Sequence, residues 1–408
     1  MKADKLWTRD FTILTVGSVI SIFGNALSGF AINLMVLEFS DSVFLFVLYM
    51  VVFCFPKIII PLIAGPLLDS FSRRKAIYTL DFISAAIFIA LFFLLSGGFF
   101  NYIVFLCISF TLGTIDGFYM VAYESLYPVL ISEGNYRKAY SVSSIIMPLS
   151  TIMLPVSAFI YENVGITQIF MASAMAFFVA ACFETQIRAD ETHLRSQAGR
   201  YSFKEFKSSF REGVNYIKGE KGLLVITSYF FFMMFANSAQ SLMLPYFRDT
   251  PQLGVMLYTL VMGGFVAGRL IGGLVQYKIE YPKDHKFMIA MIVYISICFI
   301  EGAFLFTPVF MMVIMTFLVG ILGVTSYNIR ISATQSYVPD DKRARFNGAF
   351  CMFMSLGTII GQLSAGALAE LIPIRAVVVG FNALCLVASF AIMLRGKHHV
   401  KPIYNRKV

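Results

Sequence analysis

Gly65-Pro66-Leu67-Leu68-Asp69-Ser70-Phe71-Ser72-Arg73-Arg74-Lys75 breaks into two long apolar runs, residues 43–68 and 76–97. It reads as a tight, strongly charged turn. Each flanking run is long enough to cross a bilayer, which takes about 20 mostly apolar residues. A water-soluble fold gains nothing from such a turn between two such runs. The totals agree: of 408 residues, 58% are hydrophobic and 13% charged. That is about half the charged share of a soluble domain. A chain this apolar cannot cover itself with polar surface, so its solvent is lipid.

Working outward, runs of spanning length broken by charge, Gly or Pro number twelve: 11–36, 43–68, 76–97, 101–126, 139–161, 166–186, 222–245, 252–276, 287–306, 309–333, 347–370 and 376–394. Orientation follows from the 32 lysines and arginines. Arg248 and Arg375 fall outside, and Lys57, Arg269 and Arg330 lie within or at the edge of spans. The other 27 gather on one side with both termini, and the positive-inside rule makes that side cytoplasmic. The net charge of +9 therefore points to anionic lipid at the basic loops and not to nucleic acid. Met1 to Asp10 is too charged, and the first span too long, for a cleaved signal peptide. The six cysteines lie inside apolar segments without metal-type spacing and are expected to be small buried hydrophobes. The four histidines lie in cytoplasmic loops or tail and form no metal site, and no glycine loop for phosphate is present.

The longest hydrophilic stretch, 187–221, divides the chain into a six-span bundle at 1–186 and a second bundle with tail at 222–408. Within it, Ser202 and Glu205 form a capping box. Phe203, Phe206, Phe210, Val214 and Ile217 then recur at helical spacing, with basic residues elsewhere on the helix. Such a helix either lies on the inner leaflet or packs against the bundle. A shift of 207 residues places Gly65 on Gly272 and Gly113 on Gly320, a faint internal repeat. Two halves in the same orientation are one architecture of secondary transporters.

Six plus six spans and the Gly65-x-x-x-Asp69-x-x-x-Arg73-Arg74-Lys75 turn after span two resemble the major facilitator superfamily. More narrowly, the chain resembles the bacterial macrolide-efflux-like branch of drug:proton antiporters. The features are Asn25-Ala-Leu-Ser-Gly-Phe-Ala in span one, Phe55-Pro56 in span two, Phe206 to Gly222, and Gln335-Ser-Tyr-Val-Pro339 through Arg345. Four features depart from the family. Ser70 and Ser72 replace the loop's arginine and glycine, and Gln276 replaces the aspartate in the second-half copy. Phe110 lies where many proton-coupled relatives carry an arginine, and Leu154-Pro155-Val-Ser-Ala lacks the antiporter motif. The resemblance implies an all-α membrane protein of twelve transmembrane helices in two pseudo-symmetric halves. It also implies that Asp69 faces the amino end of span eleven, where the helix dipole is positive and Gly348 allows close approach.

With Arg73, Arg74 and Glu124 as a partner for Arg73, that turn would form a latch between the halves; a tight positive-inside anchor is the plainer alternative. Lys57 lies twelve residues before Asp69, ~18 Å up a helix and near mid-membrane. A lysine there costs at least ~2.5–3.5 kcal/mol, so it is expected to face a cavity or a carboxylate. Asp116, midway down span four, is the matching acid. A carboxylate in low dielectric holds a proton readily unless paired, so proton coupling and a neutralising pair both stay open. Arg269 and Glu301 are further coupling or substrate candidates, and Asp81 is expected to support the basic turn. Ser21, Asn25 and Ser28 in span one, with Asn237 and Gln240 in span seven, are expected to line a water-filled cavity or to glue helices together.

The expectation is a non-enzymatic secondary transporter, a monomer in a bacterial cytoplasmic membrane. It would export an amphipathic small molecule against protons, without cofactor. The alternatives are movement of a small polar or anionic solute, and a non-transporting receptor on the same scaffold.

Overall fold

The computed structural model describes residues 6–40, 42–69, 72–132, 155–188, 203–278 and 281–406, with single positions at 135, 139, 142, 146 and 153; at 61–69 it describes the backbone alone. The chain separates into two compact units, Met1–Ser202 and Phe203–Val408. Among the described residues there is no strand, and eleven helices are long and apolar enough to cross a membrane. The fifth expected span, 139–161, falls largely outside the described residues.

The first unit contains α1 (Arg9–Ser40), α2 (Val43–Asp69), α3 (Arg73–Ser96), α4 (Tyr102–Leu126), a helical stretch α5 at 155–164, and α6 (Ile166–Glu184). Local chemistry sets the starts. Ser72 caps α3 by accepting from the Lys75 N–H, and Asn101 caps α4 by accepting from Ile103 and Val104. α2 packs along α4, and α1 and α3 both pack along α6.

The second unit opens with α7 (Phe203–Gly219) and α8 (Lys221–Asn237), then a tight 3₁₀ turn at Ser238–Leu242 and α9 (Met243–Asp249). There follow α10 (Val255–Lys278), α11 (Lys286–Ala303), α12 (Val309–Tyr337), α13 (Asp340–Ala369) and α14 (Ile374–Ala388). The last runs through a π-helical turn at Ser389–Leu394 to α15 (Lys397–Tyr404). α10 packs along α12, which repeats the α2–α4 pairing, and α8 packs along α13.

Glycines set these seams. A Cβ on Gly113 would run into the Phe53 carbonyl, and one on Gly268 into the Phe317 carbonyl. Gly320 meets the Phe265 carbonyl in the same way, so Gly113 and Gly320, one of the pairs matched by the repeat, both sit where helices touch backbone to backbone.

α7 packs against α13 and α8. Ile217 is buried, and Gly213 abuts the Arg345 carbonyl. Protein therefore occupies the apolar face that would have met the leaflet, at least from Phe210 onward; the side chains of Phe203 and Phe206 lie outside the described residues. The Glu212–Arg345 pair at 2.8 Å is half exposed at both ends, and such pairs contribute only ~0–1 kcal/mol. At the other end of the unit, α15 buries Val400, Ile403 and Tyr404. Asn405 then accepts from the Phe287 N–H at 3.0 Å and donates to the Asp284 carbonyl at 2.7 Å.

The cysteine expectation holds only in part. Cys298 and Cys385 are buried, Cys54 is half-buried, and Cys107, Cys182 and Cys351 are exposed. In a membrane bundle the outer surface meets hydrocarbon, so an apolar thiol there carries no desolvation penalty.

Candidate functional site

The first unit encloses a cavity of about 240 Å³ between α1, α2, α3, α4 and α6. On α1, positions 18, 21, 25 and 28 recur at intervals of three and four and so share one face. All four line the cavity, but they do different things. The Ser18 and Ser28 hydroxyls donate back to their own helix, to Leu14 and Gly24. Ser21 instead donates to Asp81 on α3, and Asn25 donates to Asp116 on α4 at 2.9 Å.

Asp116 also forms an ion pair with Lys57 of α2, whose ammonium lies 4.0 Å from the centre of the Phe53 ring. The pair thus ties three helices together beside the cavity. It keeps partial access, with the lysine and aspartate side chains 34% and 20% exposed. Burial in hydrocarbon would penalise either charge alone; opposite charge, an amide donor and an aromatic face together offset that penalty. Such a knot can hold the polar end of a ligand, or open when a ligand competes for one partner.

Asp81 corrects one expectation. It does not support the basic turn; it is 2% exposed and faces inward to Ser21. Buried and without a cation partner among the described residues, it needs a donor, and α1 supplies one. Sequence reasoning missed its neighbour Glu184, fully buried in the last turn of α6, which accepts from the Tyr119 hydroxyl at 3.2 Å. At the end of an apolar run it resembled a boundary charge. The available signal was Gly17, which leaves the room that the Glu184 carboxyl fills.

Two arginines of the basic turn reach carbonyls of the same unit. Arg73 donates to the Ser125 carbonyl at 3.0 Å and Arg74 to the Ile187 carbonyl at 3.0 Å. Glu124, expected to partner Arg73, is exposed. The carbonyls ending α4 lack helical donors and carry the negative end of its dipole, so they attract the guanidinium themselves. The side chain of Asp69 and the surroundings of Gly65 lie outside the described residues. Gly348 is exposed on α13, with open space around it in its own unit.

In the second unit, Gln240 on the 3₁₀ turn donates to Glu301 at 2.6 Å. Glu301 is 7% exposed beside a cavity of about 20 Å³, room for a single water. Asn237 does not line that cavity; it ends α8, one residue before the turn that redirects the chain. Arg269 does not line it either, and lies exposed over the Phe265 ring. Arg330 sits among Phe230, Tyr327 and Phe350, its centre 4.9–5.3 Å from their rings. Gln276, in the aspartate position of the second copy, is held by Thr325 at 2.5 Å and Asn328 at 2.7 Å. Gln240→Ala strips the one amide donor that the described residues give this buried carboxyl and is expected to destabilise the protein by about 1–3 kcal/mol. Thermal unfolding checks this; an unchanged midpoint would show that Glu301 is satisfied otherwise.

The profile of the MFS_3 family, described as transmembrane secretion effector, matches residues 5–402. The chain belongs to that family. As a member of the major facilitator superfamily it is a multi-pass membrane transporter and not an enzyme. An uncharacterised MFS-type transporter of Bacillus subtilis strain 168, YkuC, is 26% identical over 287 residues, which are 67% of this chain and 66% of that protein. The alignment thus spans just under two thirds of its length.

Solved structures resemble the family member over nearly its whole length. A peptide transporter, POT, gives a TM-score of 0.70 at 12% identity, covering 96% of this chain and 95% of that one. The nucleoside transporter NupG gives 0.67 at 13%, covering 94% and 99%. An inward-facing bacterial homologue of the iron transporter ferroportin gives 0.68 at 15%, covering 96% and 99%. At such identities the likeness is one of fold.

Proposed function

We propose that this carrier exports an amphipathic small molecule across a bacterial cytoplasmic membrane in exchange for protons. The two halves would alternate access, with both termini and the basic loops on the cytoplasmic side. The observation that carries this reading is the cavity in the first unit. Its wall is largely apolar, with Phe53, Phe88 and Phe177 among the lining residues, and beside its serines it presents Asn25 and Asp116, the latter paired with Lys57. An oily wall with one charged knot suits a ligand with an apolar body and a polar handle. A polar ligand group that competes for Asp116 would release Lys57, which links binding to the opening of the knot. The resemblance of the span-one and span-two motifs to macrolide-efflux-like antiporters supports the same direction.

Everted vesicles carrying the protein test the proposal. Ethidium or a macrolide is expected to accumulate inside when the membrane is energised, and to leak out when a protonophore collapses the gradient. Uptake by intact cells would replace export with a second reading, movement of a small anionic solute. That reading is favoured by the ammonium of Lys57, partly accessible at mid-bundle. Neither signal would overturn both.

A further inference from the structure

Asp81 and Glu184 form a polar cluster that the Lys57–Asp116 pair does not use. Both are buried, Asp81 on α3 and Glu184 on α6, and their carboxyls are neighbours across the seam between these helices. Two carboxylates are both acceptors, so a hydrogen bond between them requires a hydrogen on one. The surrounding donors do not remove that need. Ser21 serves Asp81, and the Tyr119 hydroxyl serves Oε1 of Glu184. Oε2 of Glu184 is buried and receives no N–H or O–H from the described residues. A buried acceptor without a donor is unfavourable, and more so when charged.

No cation among the described residues resolves the conflict. Among the described residues, α1 presents Gly17, Ser18 and Ser21 to this region and α4 presents Tyr119 and Asp116. The ammonium of α2 nearest to it, Lys57, is bound to Asp116. Two adjacent negative charges in a low-dielectric seam would repel strongly.

We propose that Asp81 and Glu184 share one proton and form the proton-binding site of the carrier. The inference rests on the proton-coupled reading above and names its site. The geometry assigns the ends of the path. Asp81 lines the cavity and Glu184 does not. Water in the cavity delivers the proton to Asp81, and Glu184 holds it on Oε2 as a donor back to Asp81. Release runs the other way, with the proton leaving to cavity water and two carboxylates remaining. Their repulsion loosens the seam between α3 and α6. Ser21 carries the change to α1, where Asn25, one turn on, touches Asp116.

The test is infrared difference spectroscopy of the full chain in lipid nanodiscs over a pH series, in light and heavy water. A protonated-carboxyl carbonyl band that shifts in heavy water is expected. Glu184→Gln is expected to lose that band, and Asp116→Asn to keep it. The glutamine amide still donates to Asp81, so the Glu184→Gln protein is expected to elute as the folded species. A band that persists in Glu184→Gln, or none in the parent protein, would overturn the proposal. So would sodium chloride replacing the band by a carboxylate band at fixed pH, which would make the dyad an alkali-cation site. The spectra need no substrate, so the two readings fail separately. Proton-driven transport without the band removes the dyad, and the band without transport removes the carrier mechanism.

Discussion

Lys57→Ala is expected to reduce transport roughly tenfold or more, the equivalent of at least about 1.4 kcal/mol, and to lower the thermal midpoint as well. Among the described residues the substitution leaves the Asp116 carboxylate with the Asn25 amide alone, in a bundle interior that penalises an unpaired charge. Because the pair is partly accessible, the stability loss is expected near 1–3 kcal/mol, below that of a fully enclosed pair. Adding Asp116→Ala removes the stranded charge. The double variant should regain much of the midpoint while transport stays low. That split separates a working pair from a merely structural one, since a structural pair would recover both. Equal midpoints in the single and double variants would show that the two residues are not energetically linked.

The second large effect is expected at the helix seams. Gly113→Ala puts a methyl group where the Phe53 carbonyl stands. Backbone cannot swing aside as a side chain would, so α2 and α4 must part. The cost is expected at about 3 kcal/mol, the upper end for overpacking. Phe53 also lies beneath Lys57, so the displacement reaches the ion pair. Gly263→Ala is the control. It is a helical glycine with open space around it, and alanine favours helix by about 1 kcal/mol. Folded yield after detergent extraction should fall in the first variant and hold or rise in the second. Equal yields would remove the close approach from the account.

The spans were legible because crossing a bilayer demands a run length that little else imitates. The turn from Gly65 to Lys75 was legible as a turn, and its arginines were visible as anchors. Their partners were not, because Arg73 and Arg74 bind carbonyls, which every residue possesses. Asp81 shows a different limit. Eight residues separate it from Arg73, about 12 Å along a helix, and composition alone suggested that it serves the basic end. Rotation about the helix axis decided otherwise and turned it toward Ser21. Glu184 was hidden for a related reason, since a charge at the end of a run reads as leaving the membrane. Lys57 and Asp116 stood out individually, but only three-dimensional packing could bring α2, α4 and α1 together around them. The amphipathic pattern of α7 announced a buried face without saying whether lipid or protein would cover it.

The backbone-to-backbone seams of α2 with α4 and of α10 with α12 have a mechanical consequence. Each pair behaves as one stiff strut, because sliding would drive carbonyls into glycine Cα atoms. Compliance must then reside where helical hydrogen bonding is already irregular. In the second unit those places are the 3₁₀ turn at Ser238–Leu242 and the π-helical turn at Ser389–Leu394. Flexing there would move Gln240, and with it the grip on Glu301, while the struts stay rigid.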